Sequence, residues 1–273
     1  MKRFRKSFFA QMGYFADFSQ NKPQLLWQGR ALMFDSLQPI FYNTATSTRE
    51  RRMRMPTQIP MIGEQAPAFS AETTRGTLQF PSDYEGQWVI LFSHPGDFTP
   101  VCSTELMALA RIYDQFEALD CELVGLSVDS LSAHMAWLRT MEQMRWLNGE
   151  AGQAIPFPVI ADIRREVADA YGMIHADNAG VTVRATFVID PQGVIRAIQY
   201  YPETTGRNMS ELLRLLQALK RVDAHGVKTP ADWQVGDDVI MAPPENCSAD
   251  EMTADKGHKS LAWFLNFTGD AEA

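Results

Sequence analysis

Cysteine is scarce in this sequence. Its 273 residues hold three, Cys102, Cys121 and Cys247, far apart from one another. An odd, sparse set excludes a disulfide-stapled secreted domain. With no Cys-x-x-Cys, a dithiol redox pair and a zinc knuckle are excluded as well. The five histidines (His94, His134, His175, His225 and His258) show neither His-x-His nor His-x-x-x-His spacing, so no metal site is expected. No Gly-x-Ser-x-Gly occurs, which removes the serine-hydrolase elbow. No apolar run reaches the about 18 residues that a membrane-spanning helix needs. Internal repeats and low-complexity tracts are absent too, and nothing calls for a cofactor.

Positive charge is short overall and unevenly spread. The net charge is −8, which argues against nucleic acid as a partner. Residues 1–54 carry ten Lys/Arg against three acids, a surplus of +7, so the remaining residues hold −15. Residues 1–58 therefore read as a basic N-terminal extension. Its opening, MKRFRKSFFAQMGYF, has a basic start, but Gln11, Gly13 and Asp17 interrupt the apolar stretch that a secretory signal requires. Three readings stand side by side: an organelle transit peptide, a poorly ordered extension, or a start codon assigned upstream of a true start at Met53 or Met55. The cytoplasm is the expected location, with import through residues 1–58 as the alternative.

From about residue 60 the pattern becomes regular. Trp88–Phe92 is a short apolar run of strand type, and residues 100–119 repeat apolar groups at helical spacing (Leu106, Leu109, Tyr113, Phe116). Leu123–Val128 reads as a second buried strand. Residues 130–146 read as a helix with Met135, Leu138 and Met141 on one face. Phe157–Ile160 is a third strand, and Arg165–Tyr171 a short helix. Ala185–Ile189 and Val194–Ile198 flank the turn sequence Asp190-Pro-Gln-Gly193 and predict a hairpin. Residues 208–222 form an amphipathic helix opened by Asn208 and Glu211 in capping-box spacing. Strand–helix alternation ending in a hairpin and a helix predicts an α/β fold with a mixed sheet. The expected body is 59–222. Residues 223–273 form a looser extension whose apolar patch, Lys259–Phe267, is expected to dock on the body or on a partner subunit.

The chemistry concentrates at HPGDFTPVCSTEL, residues 94–106. An ordinary thiol is mostly protonated at neutral pH, and only the thiolate is a nucleophile. Thr99-Pro100 opens a helix, with Thr99 as N-cap and Pro100 at the first position, which places Cys102 in the first turn. There the unpaired N–H groups and the positive end of the helix dipole favour a negative sulfur. The Thr99 hydroxyl either caps a backbone N–H or faces the sulfur and an oxygen held beside it. The turn His94–Asp97 follows a central strand, at the sheet edge where α/β sites are built.

This segment resembles the active-site signature of the peroxiredoxins, Pro-x-x-x-Thr-x-x-Cys, here Pro95, Thr99 and Cys102. Val183–Pro191 is similar to the family strand that carries a catalytic arginine, here Arg184. Tyr201–Asn208 and Trp233–Ile240 resemble the one-cysteine or archaeal-type subgroup. The resemblance covers about residues 60–247. It implies a thioredoxin-like fold and a peroxidase that reduces hydrogen peroxide and organic hydroperoxides through a sulfenic acid on Cys102, in antioxidant defence. It implies Arg184 as the charge at the reacting oxygen, Thr99 as the group orienting the peroxide, and Pro95 as a shield against water. Arg207, His94 and Glu105 are further candidates beside the substrate, each with a plain structural reading: an ion pair, a hydrogen-bonded histidine, and an arginine holder or helix N-terminal acid. Cys121 is expected to be packing.

The return of the oxidised cysteine needs a thiol. The Val-Cys-Pro resolving motif of two-cysteine members is absent, and Ser260 and Asn266 stand where archaeal-type relatives often carry paired cysteines. Two cycles remain: Cys247 as a resolving thiol, or thioredoxin or another external thiol acting on Cys102. The family also implies a homodimer, with rings as a further assembly. The alternative function is a peroxide sensor or chaperone-type assembly that passes Cys102 oxidation to a partner.

Overall fold

In the computed structural model the described residues are 59–146, 149, 151–175, 180–241, 259–262 and 264–269. The chain first makes a hairpin of β1 (Phe69–Thr73) and β2 (Gly76–Phe80). β3 (Trp88–Ser93) follows, every residue of it buried. Next come α1 (Pro100–Arg111), the short α2 (Tyr113–Glu117), β4 (Cys121–Ser127) and α3 (Leu131–Gln143). β5 (Val159–Ala161) and α4 (Glu166–Ala170) lead into the hairpin of β6 (Arg184–Ile189) and β7 (Ile195–Tyr201). α5 (Met209–His225) closes the body. The sheet order is β2-β1-β5-β4-β3-β6-β7, with β3, β4 and β5 parallel and the other pairings antiparallel. This is the mixed sheet flanked by helices that the alternation predicts.

Strand periodicity sorts the core into two layers. Trp88, Ile90 and Phe92 of β3 pack with Leu106, Trp137, Leu212 and Leu216 of the helices α1, α3 and α5. Val89 and Leu91, the alternate positions, pack with Val124, Leu126, Tyr171 and Phe187 on the other face. β3 is thus buried on both sides. Its carboxyl end, where the chain leaves for α1, is held by neighbouring strands on each flank.

Several elements differ from the sequence reading. The helical repeat over 100–119 is interrupted: Ile112 (φ −117°, ψ 13°) separates α1 from α2. In α3 the buried residues are His134, Trp137 and Met141, while Met135 is 37% exposed. The face is rotated because a polar residue, His134, finds partners inside. The third strand is shorter than expected and begins at Val159. Asn208 caps α5 by accepting from the N–H groups of Ser210 and Glu211, but Glu211 turns to Arg214 instead of completing the box. In the C-terminal extension β8 (Val239–Ile240), β9 (Lys259–Ala262) and β10 (Leu265–Thr268) form a second antiparallel sheet in the order β8-β10-β9. Trp233 and Val239 of that extension pack on Ala218 of α5.

Candidate active site

The loop from β3 to α1 carries the site. His94, at the end of β3, gives its N–H to the Leu126 carbonyl at 2.9 Å, and its own carbonyl accepts the Thr182 hydroxyl at 2.6 Å. Pro95 is buried. Phe98 takes a left-handed conformation (φ +56°), which is uncommon for a bulky residue and reverses the chain sharply. Thr99 is the N-cap residue by backbone conformation, but its hydroxyl makes no capping bond; it donates to the Gly96 carbonyl at 2.8 Å. Its oxygen keeps lone pairs for a further donor. Cys102 sits in the first turn of α1 and has no exposed surface.

The partner of that sulfur comes from a different strand. Arg184 opens β6, and its Nη1 lies 3.2 Å from Cys102 Sγ and 2.7 Å from Glu105 Oε2. Its Nε and Nη2 both donate to the Glu203 carbonyl, at 3.1 and 2.6 Å. The guanidinium fork is therefore held at three points. Glu105, one helical turn beyond Cys102, takes a second arginine as well. Arg207 Nε and Nη2 reach its two oxygens at 3.0 and 2.9 Å, and the Arg207 backbone N–H adds a bond of 2.8 Å. Arg207 Nη1 continues to the Ala185 carbonyl and the Thr186 hydroxyl, and its guanidinium lies over the Phe92 ring. Burial alone would raise the Glu105 carboxyl, but the hydrogen bonds and charge of Arg207, with the charge of Arg184, hold it below its ordinary value. The site is thus a buried Glu105 carboxylate between two guanidiniums, one of which faces the thiol.

A second buried cluster lies on the loop itself. The Asp97 side chain accepts from His94 Nε2 at 3.1 Å and faces His134 Nδ1 at 3.0 and 2.8 Å with its two oxygens. Burial pushes the His94 ring below its ordinary value, against the pull of Asp97. Burial would raise the Asp97 carboxyl, but the hydrogen bonds of His134 and His94 bring it below the usual range. These three side chains have the donor types of a metal site, their ligand atoms all within 4.8 Å of one another. Ligands on a tetrahedral ion at about 2.0–2.1 Å stand roughly 3.3 Å apart. The ring–carboxylate distances are shorter and fit hydrogen bonds, so the cluster reads as a triad.

The structure therefore brings Cys102, Glu105 and Arg184 together, with Thr99 at the start of the same helix and Pro95 buried in the loop before it. Arg207 grips Glu105 and takes the ion-pair reading, and His94 takes the hydrogen-bonded one. Cys121 is buried at the start of β4, where burial and the nearby Glu122 push its thiol up. Cys247 lies outside the described residues. Sequence reasoning missed Asp97, His134 and the Glu203 carbonyl. Asp97 stands inside the quoted motif, but nothing in spacing connects it with His134, 37 positions on.

Known proteins resemble this chain over most of its length. Residues 62–198 match the AhpC/TSA family, and residues 218–250 match the C-terminal domain of 1-Cys peroxiredoxin. A peroxiredoxin of Methanosarcina mazei is 47% identical over 219 residues, covering 78% of this chain and 100% of its own. One from Aquifex aeolicus is 46% identical, covering 76% and 96%. Among solved structures, yeast mitochondrial 1-Cys peroxiredoxin superposes with a TM-score of 0.68 at 39% identity, over 77% of this chain and all of that one. That work describes thiol resolution through glutathione/thioredoxin systems. The peroxiredoxin 6 of Arenicola marina gives 0.66 at 33% identity, over 78% and 99%. The chain belongs to the peroxiredoxin family, and is a thiol-dependent peroxidase on a thioredoxin-like fold.

Proposed function

We propose that Cys102 is the peroxidatic nucleophile and that Arg184 and Thr99 act directly on the peroxide. The observation that carries this reading is the 3.2 Å approach of Arg184 Nη1 to Cys102 Sγ. The sulfur attacks the terminal oxygen of the hydroperoxide. An S–O bond forms, the O–O bond breaks, and the departing oxygen takes the electron pair and then a proton. The products are a sulfenic acid and water or an alcohol. Arg184 faces both the anionic sulfur and the oxygen on which charge develops. Thr99 Oγ1, its proton committed to Gly96, accepts from the peroxide and aligns it. Pro95 excludes water. Glu105 and Arg207 fix the Arg184 guanidinium.

A thiol then attacks the sulfenic sulfur, water leaves, and a disulfide forms that a second thiol reduces. Cys247 of a neighbouring subunit and an external thiol are the two sources. The yeast relative supports glutathione or thioredoxin systems as the external one. Free thiols suit a reducing cytoplasm, which is the proposed location, with residues 59–222 as the catalytic domain of a homodimer that also forms rings. The test is peroxide consumption with a thiol reductant. Cys102→Ser must abolish it; retained turnover would overturn the assignment. Non-reducing electrophoresis after a peroxide pulse separates the cycles: a covalent dimer lost in Cys247→Ser means resolution by Cys247, and an unchanged monomer means an external thiol.

A further inference from the structure

Neither the mechanism above nor the Cys102 pocket uses the buried pair His134–Asp97. Both ring nitrogens of His134 face acceptors. Nδ1 lies 3.0 and 2.8 Å from the two Asp97 oxygens, and Nε2 lies 3.1 Å from the Ile160 carbonyl. A carbonyl only accepts, so Nε2 carries a proton. Asp97 faces Nδ1 and also accepts from His94 Nε2. The His134 ring is wholly buried, and the Asp97 side chain is 2% exposed.

This pair holds the catalytic loop from outside. Asp97 is fixed by His134 and His94 through its side chain and by Asp129 through its N–H, at 2.8 Å. The next residue is the left-handed Phe98, and the one after it is Thr99. On the far side of Thr99, α3 takes a second hold: Trp137 Nε1 donates to the Ser103 hydroxyl at 3.2 Å, and that hydroxyl donates to the Thr99 carbonyl at 2.8 Å. α3 thus grips the chain on both sides of Thr99. The charged and titratable groups facing His134 are Asp97, His94 and, through the Asp97 amide, Asp129.

We infer that His134 is a positioning residue that acts through Asp97 to hold Thr99 where it can align the hydroperoxide. The inference rests on the Cys102 reading above, and that reading is scored separately by Cys102→Ser. Two measurements test it. In the wild-type protein, ¹⁵N NMR at pH 7 should show His134 Nε2 protonated, as its contact with the Ile160 carbonyl requires; a bare Nε2 would overturn the inference. This measurement needs no variant to fold.

The second measurement is kinetic. His134→Gln keeps a donor and removes the ring that bridges Asp97 and the Ile160 carbonyl. It should slow oxidation of Cys102 by hydrogen peroxide roughly 10- to 100-fold, the scale of a small misplacement. Alkylation by iodoacetamide, which does not use Thr99, should change less than about threefold, since Arg184 is untouched. Thr99→Val combined with His134→Gln should be no slower toward peroxide than Thr99→Val alone, because both changes remove one alignment. Unchanged peroxide oxidation in a folded His134→Gln protein, equal losses in the two reactions, or multiplying losses in the double variant would overturn it.

Discussion

Cys102 and Cys121 are equally buried, at 0% and 1% exposure, and sit in opposite environments. Cys102 lies in the first turn of a helix, with a guanidinium nitrogen 3.2 Å from its sulfur. Cys121 begins a core strand, and its sulfur lies 3.7 Å from the Glu122 carbonyl. Burial favours the neutral thiol and Glu122 adds to it, outweighing the opposing charge of Lys220, so Cys121 is pushed well above the ordinary thiol value. Enclosure alone therefore does not make a thiol reactive. What differs is an ionic scaffold: at Cys102 a carboxylate is buried one turn away solely to hold arginines, and at Cys121 no such device exists among the described residues.

The largest effect expected from dismantling that scaffold is on stability. Glu105→Gln leaves the Arg184 and Arg207 guanidiniums buried without their counter-charge. Removing one partner of a buried ion pair costs about 3–5 kcal/mol. Denaturant unfolding should show a loss of that size, a large part of the stability of a typical domain. A loss under about 1 kcal/mol would mean that water reaches the arginines and that the cluster is not the dry device described. Next in size, Arg184→Ala should slow peroxide oxidation of Cys102 by roughly 10²–10³-fold, the scale of one lost electrostatic donor. Stopped-flow kinetics measure this directly, with Cys121 as the internal control. If the rate fell less than tenfold, the guanidinium would be structural.

Much of the Cys102 environment is legible in the sequence because it is local. Thr99-Pro100 marks the helix start, the apolar run before it marks the central strand, and Glu105 falls one turn on. The hairpin turn Asp190–Gly193 and the apolar stripe of α5 are legible for the same reason: each is a pattern within about a dozen residues. Arg184 is different. No periodicity links position 184 to position 102; only the family resemblance does, because the contact depends on β6 lying beside β3. His134 is less legible still. Helical amphipathicity placed Met135 inward, and the buried histidine is intelligible only once Asp97 and the Ile160 carbonyl surround it. The small sheet β8-β10-β9 was hidden by weak alternation and by strands as short as two residues.

The loop that delivers Cys102 carries titrating groups, and this predicts a smaller, pH-dependent effect. His94 titrates below its ordinary 6.5 in the folded protein, so the unfolded chain binds its proton first. Its contribution to stability is complete above pH 6.5 and falls as the pH drops toward the folded value, by at most about 1.4 kcal/mol per pH unit for one proton. Glu105 and Asp97, held below 4.5 and 3.8, contribute stability that is complete above those values and lost at lower pH, so the acid slope steepens there. His94→Gln should flatten the stability curve just below pH 6.5 and leave the limb below 4.5 in place. An unchanged upper limb would show that His94 is protonated in the folded state and that the triad is assigned the wrong charges.

The smallest expected effect falls on the control thiol. Cys121→Ala removes one sulfur from the core between β4 and the helices, and a small buried truncation of this kind costs about 1 kcal/mol. The rate of peroxide oxidation at Cys102 should be unchanged, because Cys121 pairs with Trp88, at the end of β3 away from the loop. Mass spectrometry of the wild-type protein after a peroxide pulse should find oxygen on the Cys102 peptide and none on the Cys121 peptide. Comparable oxidation of both would mean that access to peroxide, and not the partner of the sulfur, decides which thiol reacts. A selective result under equal burial removes surface exposure as the cause and leaves the surroundings of the sulfur, the guanidinium and the first turn of α1, to decide.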